Sequence, residues 1–320
     1  MKILFTGVNS GIDKEPGPLK WLSSIAKREG HETCSALEEA PDLLICVDYQ
    51  SKFKSLLQDA AARGVPRILI KQEPPVVYPL HGIENPHGLF SMVITRGYSS
   101  NVPIFNSYQD WDVSYLRCPD RLNRVVAITA DKWSSIKGEL YSLRRLAYSK
   151  DERVDLFGYG WGDSNWVRMI RIAKEILISI FSGVVPIVTN LNLALARPLN
   201  YLGSVENKLA LLSRYKVSLV IENEGTRVSE KLVDCILAGT IPVYVGTPFA
   251  PFGVPDHLVI HSEPNLSSIQ RSLTLALSWS SKDFISRAEL WASDPESREN
   301  WDAEKVGSKI LLHITDKFPK

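Results

Sequence analysis

Nine apolar runs of four or five residues recur along the chain, each closed by a polar or glycine-bearing stretch. They are Ile3–Gly7, Leu43–Val47, Arg67–Lys71, Met92–Thr95, Val125–Thr129, Val154–Phe157, Val217–Ile221, Ile241–Val245 and Leu258–His261. Continuous apolar runs of this length read as strands buried on both faces, as a parallel sheet requires. The segments between them carry helical spacing or turn residues, and the alternation predicts an α/β chain with doubly wound sheets. The polar stretch 98–122, rich in Ser, Asn, Pro and Asp, divides the strands four and five. Nine strands are too many for one compact sheet in a chain of this length. The pattern therefore predicts two doubly wound domains facing a cleft, at 1–120 and 121–290. The tail 291–320 is expected to hold a helix that packs back on the first domain.

The densest pattern lies between Tyr215 and Pro248. Tyr215, Val217, Leu219 and Ile221 alternate on one side of a strand that breaks at Asn223-Glu224-Gly225-Thr226. Ser229 then reads as the N-cap of a helix through its hydroxyl, with Glu230 in the first turn. Leu232, Val233, Ile236 and Leu237 have helical spacing, and Gly239 suits the position just past the helix end. In a strand-helix-strand unit, ligands gather at the carboxyl ends of the strands, where unpaired N–H groups and the helix dipole favour phosphate. Glu222, Asn223, Arg227, Glu230 and Lys231 all fall at that end.

Composition narrows the classes. With 320 residues, 44% hydrophobic and 23% charged, the chain is an ordinary globular one. Its 37 Lys+Arg against 36 Asp+Glu give a net charge of +1, which argues against a nucleic-acid partner and requires any phosphate binding to be local. Cys34, Cys46, Cys118 and Cys235 are widely spaced and read as thiols of a reducing compartment, without zinc spacing. The start, MKILFTGVNSG, enters a strand directly and lacks the features of a signal peptide, so a cytoplasmic location is expected. The uncharged run Ile176 to Ala196 is long enough to span a bilayer, but Gly183, Pro186, Asn190 and Asn192 interrupt it. It reads as buried core or a membrane-facing patch, and an amphipathic or interfacial role, with peripheral association at the inner face of a membrane, stays open.

The order Glu-Asn, Ser-Glu-Lys, Ala-Gly-Thr-Ile-Pro-Val-Tyr-Val-Gly, over about 30 residues, resembles the donor-binding motif of the α1,3/1,4-fucosyltransferases. These form glycosyltransferase family 10, and the likeness is strongest to the bacterial lipopolysaccharide-type members. The resemblance implies a GT-B fold, two Rossmann-like domains facing a cleft. It implies an inverting transfer of L-fucose from a GDP-fucose donor to a hydroxyl of a glycan acceptor, in surface polysaccharide or lipopolysaccharide synthesis. No cofactor is implied; a stimulatory divalent ion without a protein site stays open. Arg67-Ile-Leu-Ile-Lys-Gln-Glu-Pro-Pro resembles the family's strand ending in Glu-Ser-Pro, which makes Glu73 the general base, with Pro74 in place of Ser. Lys137-Gly-Glu-Leu-Tyr resembles an Arg-x-x-x-Tyr helix start whose Arg contacts the donor phosphates, and Lys137 replaces that Arg. Arg227 stands near the position of a family Tyr. Lys231, with Lys137 and Arg227, is thus expected to hold the diphosphate, and Glu222, Asn223 and Glu230 to fix ribose or fucose hydroxyls. Phe157-Gly-Tyr-Gly resembles the family's Phe-Gly-x-Gly turn, and Tyr201 to Lys208 its Tyr-x-Gly-x-Val-x-x-Lys.

Each assignment has a plainer reading: Glu73 as a solvated loop carboxylate, Lys137 and Lys208 as solvated helix lysines. Asp110-Trp111-Asp112 is formally a metal-binding DxD, but it has no apolar strand before it and reads as a loop. His257 and His261, on one predicted strand, would stand about 13 Å apart, too far to share a metal. No protein metal site is expected. Two other functions stay open: a GT-B transferase using another nucleotide sugar, and a non-catalytic sugar-nucleotide-binding homologue.

Overall fold

The computed structural model describes residues 1–7, 18–95, 111–181, 191–226 and 228–319. The chain divides into two compact units, Met1–Tyr108 with Asp302–Lys320, and Gln109–Trp301.

The first unit runs β1 (Lys2–Gly7), α1 (Pro18–Arg28), β2 (Glu32–Cys34), β3 (Leu43–Val47), α2 (Lys54–Ala62), β4 (Arg67–Lys71) and β5 (Met92–Thr95). Its strands are all parallel, in the order β2-β1-β3-β4-β5. The period of two sends Ile3, Phe5, Leu43, Ile45, Val47, Ile68 and Ile70 to one face, and Leu4, Leu44, Cys46 and Leu69 to the other. α2 covers the second face with Leu57 and Ala60. The first is covered by α1 and by the C-terminal helix Ala303–Lys317, which buries Val306, Ile310, Leu311 and Ile314. Removing those four side chains from water contributes up to about 6–12 kcal/mol. Gly307 sets the approach of the two helices: a Cβ there would overlap Ile25 and lie 2.9 Å from Trp21 Cζ2. The Asp302 carboxylate caps this helix by accepting from the Glu304 amide at 2.9 Å.

The second unit runs β6 (Leu122–Ile128), α3 (Tyr141–Lys150), β7 (Val154–Phe157), α4 (Asn165–Phe181), α5 (Leu191–Ala194), α6 (Lys208–Leu212), β8 (Tyr215–Ile221), α7 (Glu230–Leu237), β9 (Ile241–Val245), β10 (Ile260–His261), α8 (Leu266–Ser278), α9 (Ser281–Ser293) and α10 (Pro295–Trp301). Its parallel order is β10-β9-β8-β6-β7. Counted within each unit, both sheets have the same topology: the second strand lies outside the first, and the third to fifth follow on the other side. The order reverses between β1 and β3, and between β6 and β8. Such a switch point opens a crevice at the strands' carboxyl ends.

Several expectations are corrected. The structure has a tenth strand, β2, three residues long at a sheet edge, so the division is five and five. β6 begins earlier than its apolar run, because the polar edge positions still join the ladder, whereas β8 begins at Tyr215, where the alternation starts. Leu258 belongs to a one-turn helix, Asp256–Leu258, so His257 shares no strand with His261. Ile176–Phe181 closes α4, and residues 182–190 of the uncharged run lie outside the described residues. Among the described residues, no helix is long and apolar enough to cross a membrane.

Candidate functional site

At the switch point of the second unit, β8 ends in Ile221 and hands the chain to Glu222, which is buried. A buried carboxylate is costly unless its oxygens are occupied. Those of Glu222 accept from the Ser229 amide at 2.7 Å and from the Ser229 hydroxyl at 2.9 and 2.8 Å. The Tyr244 hydroxyl, from β9, bonds the same carboxylate, and burial drives that phenol's pKa well above its ordinary value. This contact explains the glycine that follows Tyr244-Val245: a Cβ on Gly246 would overlap Tyr244 Oη and lie 2.9 Å from Glu222 Cγ.

Ser229 occupies the expected N-cap position of α7, but its hydroxyl makes no cap; it turns to Glu222 instead. The first-turn amides of α7 are thus left without a side-chain cap, at the positive end of the helix. Lys231 stands beside them. Its ammonium donates to Ser229 Oγ at 3.0 Å and lies 3.7 Å from Glu222 and 3.8 Å from Glu230. Glu230 is half-buried.

Arg144, buried in α3, fixes the same strand end from the other side. Its Nε donates to the Ile221 carbonyl at 2.9 Å and its Nη2 to Asn223 Oδ1 at 2.9 Å. The Leu140 amide donates to the Asn223 carbonyl at 2.9 Å, so Asn223 is held by both side chain and backbone. Beneath this layer Lys208 pairs with Asp234, a correction to its reading as a solvated lysine. Burial pushes the Asp234 carboxyl up to about 6 despite that partner, whereas Asp234 raises the pKa of Lys208. A cavity of about 20 Å³, room for roughly one water, is lined by Thr129, Ile221, Lys208, Lys231 and Asp234 among others.

The turn after β7 approaches the end of β6 without room for side chains. Gly158, at φ 133°, would place a Cβ over the Thr129 carbonyl oxygen. Trp161 Nε1 donates to that carbonyl at 2.7 Å, and Tyr201 Oη donates to the Gly158 carbonyl at 2.9 Å. Just past β6, Asp131 accepts from Arg145 at 2.8 Å and from Arg168 at 2.7 Å, all three side chains being buried. Burial lowers the Arg145 pKa, with the Asp131 carboxylate opposing the shift. Two guanidiniums on one carboxylate leave a net positive charge at this end of the sheet, which favours an anion nearby.

In the first unit, Glu73 follows β4 and is half-buried. Asp48, in the left-handed region at φ 55°, accepts from the Gln72 and Glu73 amides at 2.7 and 3.0 Å. His81 Nδ1 lies 2.7 Å from the Glu73 carbonyl. The loop beyond is tied by buried Lys71, whose ammonium donates to the carbonyls of His81, Ile83 and Glu84 at 3.3, 2.6 and 2.9 Å. The backbone of Glu73 is thereby fixed from both sides.

The structure brings Glu222, Asn223, Glu230 and Lys231 together. Lys137 lies on the exposed stretch before α3 and makes no ion pair with a described residue. Arg227 lies outside the described residues, as does Asp110; Asp112 accepts from the Ser114 amide at 2.8 Å. Among the described residues, no group of three or more His, Cys, Asp or Glu side chains could hold a metal ion. Sequence reasoning missed Asp48, Lys71, Asp131, Arg144, Arg145 and Arg168. Only Asp48 carried a readable signal, as the first polar residue after a fully apolar strand.

No protein-family model matches the chain, and no curated protein sequence does. Among solved structures, it is similar to Anabaena Alr3699/HepE in complex with UDP and glucose, at 13% identity, over 99% of this chain and 100% of that one, with a TM-score of 0.60. A UDP-forming α,α-trehalose-phosphate synthase from Burkholderia xenovorans is similar at 15% identity, over 93% of this chain and 78% of that one, with a TM-score of 0.56. An α1,3-fucosyltransferase is similar at 13% identity, over 97% of this chain and 89% of that one, with a TM-score of 0.51. At these identities the likeness establishes the fold alone, and it does not extend the motif's resemblance to glycosyltransferase family 10 into membership. The chain has the GT-B fold of two Rossmann-like α/β domains.

Proposed function

We propose that the protein is an inverting glycosyltransferase that moves a sugar from a nucleoside diphosphate to a hydroxyl of a glycan. The observation that carries this reading is the α7 N-terminus: uncapped amides and the Lys231 ammonium side by side at the carboxyl end of β8. That combination suits a diphosphate, which takes N–H donors and a cation together. Lys231 holds the diphosphate, with Lys137 and Arg227 as further cations. Asn223 and Glu230 take ribose or sugar hydroxyls, and Glu222 positions Ser229 and Lys231 from beneath. Glu73 is the base: it removes the acceptor proton as the acceptor oxygen bonds the anomeric carbon and the diphosphate departs with the bonding pair.

L-Fucose from GDP-fucose is the donor favoured by the Glu-Asn/Ser-Glu-Lys motif. A UDP-sugar is the second reading, supported by the UDP and UDP-glucose held by the HepE structures. Calorimetric titration with GDP-fucose, GDP-mannose, UDP-glucose and UDP-galactose separates the two, and a hydrolysis assay on the tightest binder tests turnover. Lys231→Ala should weaken both the sugar nucleotide and the bare diphosphate by about 1.5–3 kcal/mol, roughly 10- to 150-fold. A folded variant with unchanged affinity would remove the donor site from α7. Tight binding with neither transfer nor hydrolysis would point to the non-catalytic homologue.

A further inference from the structure

α4 is amphipathic in the reverse of the usual sense. The positions it buries include Arg168, Ile172 and Ser179, with Glu175 half-buried, and the polar members are tied down. Arg168 is held by Asp131, and Ser179 Oγ meets Ser135 Oγ at 2.6 Å. The opposite face carries Trp166, Met169, Ile170, Ala173, Leu177, Ile180 and Phe181, three or four residues apart, which places them on one stripe. All are exposed, Trp166 to 71% and Phe181 to 86%. A soluble surface helix turns such a stripe inward.

We infer that this face of α4 docks in the headgroup–acyl boundary of a bilayer that carries anionic lipids. The helix has 17 residues, about 25 Å of axis. An interfacial helix needs only to sink its apolar side some 5–10 Å below the headgroups, which the stripe allows along its whole length. The flank is cationic. Arg168 is spent on Asp131 and Arg171 pairs with Asp163, so the excess of one positive charge comes from Lys132 and Lys174 against Glu175. Lys174 is exposed, and Lys132 and Lys174 both stand close enough to Glu175 to act on its carboxyl. Trp166 at one end and Phe181 at the other suit the two edges of an interfacial segment.

The inference does not depend on the proposed activity and is tested on the whole protein without substrate. Flotation with phosphatidylcholine vesicles containing 30% phosphatidylglycerol, against pure phosphatidylcholine, should recover the protein mainly with the anionic vesicles. Binding should fall with salt. Met169→Glu/Leu177→Glu should lower the partition coefficient about 100-fold or more, since each apolar side chain withdrawn from water accounts for roughly 10- to 100-fold. Leu312→Glu, an exposed leucine on the C-terminal helix, should leave it unchanged. Circular dichroism and the melting temperature certify the fold of each variant. Vesicle binding that is absent, or equal in the double variant and the parent, overturns the inference. So does a light-scattering mass of two chains that drops to one in the double variant without vesicle binding, which would assign the face to a second copy.

Discussion

Glu222 is the most informative residue to perturb, because bracing and ligand contact predict different results. In Glu222→Ala, the Ser229 amide and the Tyr244 hydroxyl lose their acceptor inside the fold, while the Ser229 hydroxyl can rotate. Two stranded buried donors cost about 1–3 kcal/mol each, about 2–6 kcal/mol together, and the lost side-chain packing places the total in the upper part of that range. For a unit of this size that corresponds to a drop in melting temperature of roughly 10 °C. Glu222→Gln keeps the shape and one acceptor oxygen, and its amide can donate to the tyrosine oxygen; about 1 kcal/mol and a few degrees are expected. The same change removes one of two carboxylates within 4 Å of Lys231, leaving the ammonium less neutralised. Lys231 is partly exposed, so screening limits this to under about 1 kcal/mol, and a nucleoside diphosphate should bind the Gln variant equally or up to about fivefold more tightly. Scanning fluorimetry and calorimetry with GDP and UDP read both effects. An Ala variant that melts with the parent would show that the carboxylate is not the acceptor. A well-folded Gln variant with tenfold weaker binding would show that Glu222 touches the ligand.

Glu73→Gln should lower turnover about 100- to 10,000-fold with an unchanged melting temperature, because Asp48 and His81 hold the Glu73 backbone and not its carboxylate; near-parental turnover would place the base elsewhere. Asp234, raised to about 6 by burial, binds its proton more tightly folded than unfolded, so stability should fall as pH rises from about 4 to 6 and level off above. Asp234→Asn should flatten that part of a urea-denaturation profile, and parallel profiles for parent and variant would refute the burial argument. Of the four cysteines, Cys118 should react quickly with a thiol reagent in the native state, since Cys34, Cys46 and Cys235 are buried and burial raises all three thiols, Cys235 to about 12. Fast labelling of a second thiol would count against that core.

How far the fold was legible depended on how completely each element is buried. β3, β4, β5, β7 and β9 match their apolar runs end for end, and in β3 and β9 every residue is buried, so no polar position blurs the edges. β2 escaped notice because Glu32-Thr33-Cys34 is short and lies at an edge. The site was half legible. Its strand end and helix start follow from local chemistry, and Ser229 is where a cap belongs. The destination of its hydroxyl was not readable, since Glu222 and Tyr244 reach it through tertiary packing. Nor could sequence show that Arg144 and Arg145, adjacent on one helix, are both buried, each on a different partner. The uncharged run from Ile176 did not tell core from outward face: Leu177, Ile180 and Phe181 face out because the polar side of α4 is satisfied internally by Asp131 and Ser135.

The helix Ala303–Lys317 gives the chain an order of assembly. The first sheet is made early in synthesis, yet one of its faces stays only partly covered, by α1, until residues made after the entire second unit arrive with Val306, Ile310, Leu311 and Ile314. The second unit can close as soon as Trp301 has emerged, its indole donating to the Phe252 carbonyl at 2.9 Å. The half that begins first therefore finishes last, and in the interval it shows a parallel sheet with one apolar side only partly covered, the kind of surface on which nascent chains stick to one another. A chaperone that holds this chain would be expected to grip its beginning and to release it when its end appears.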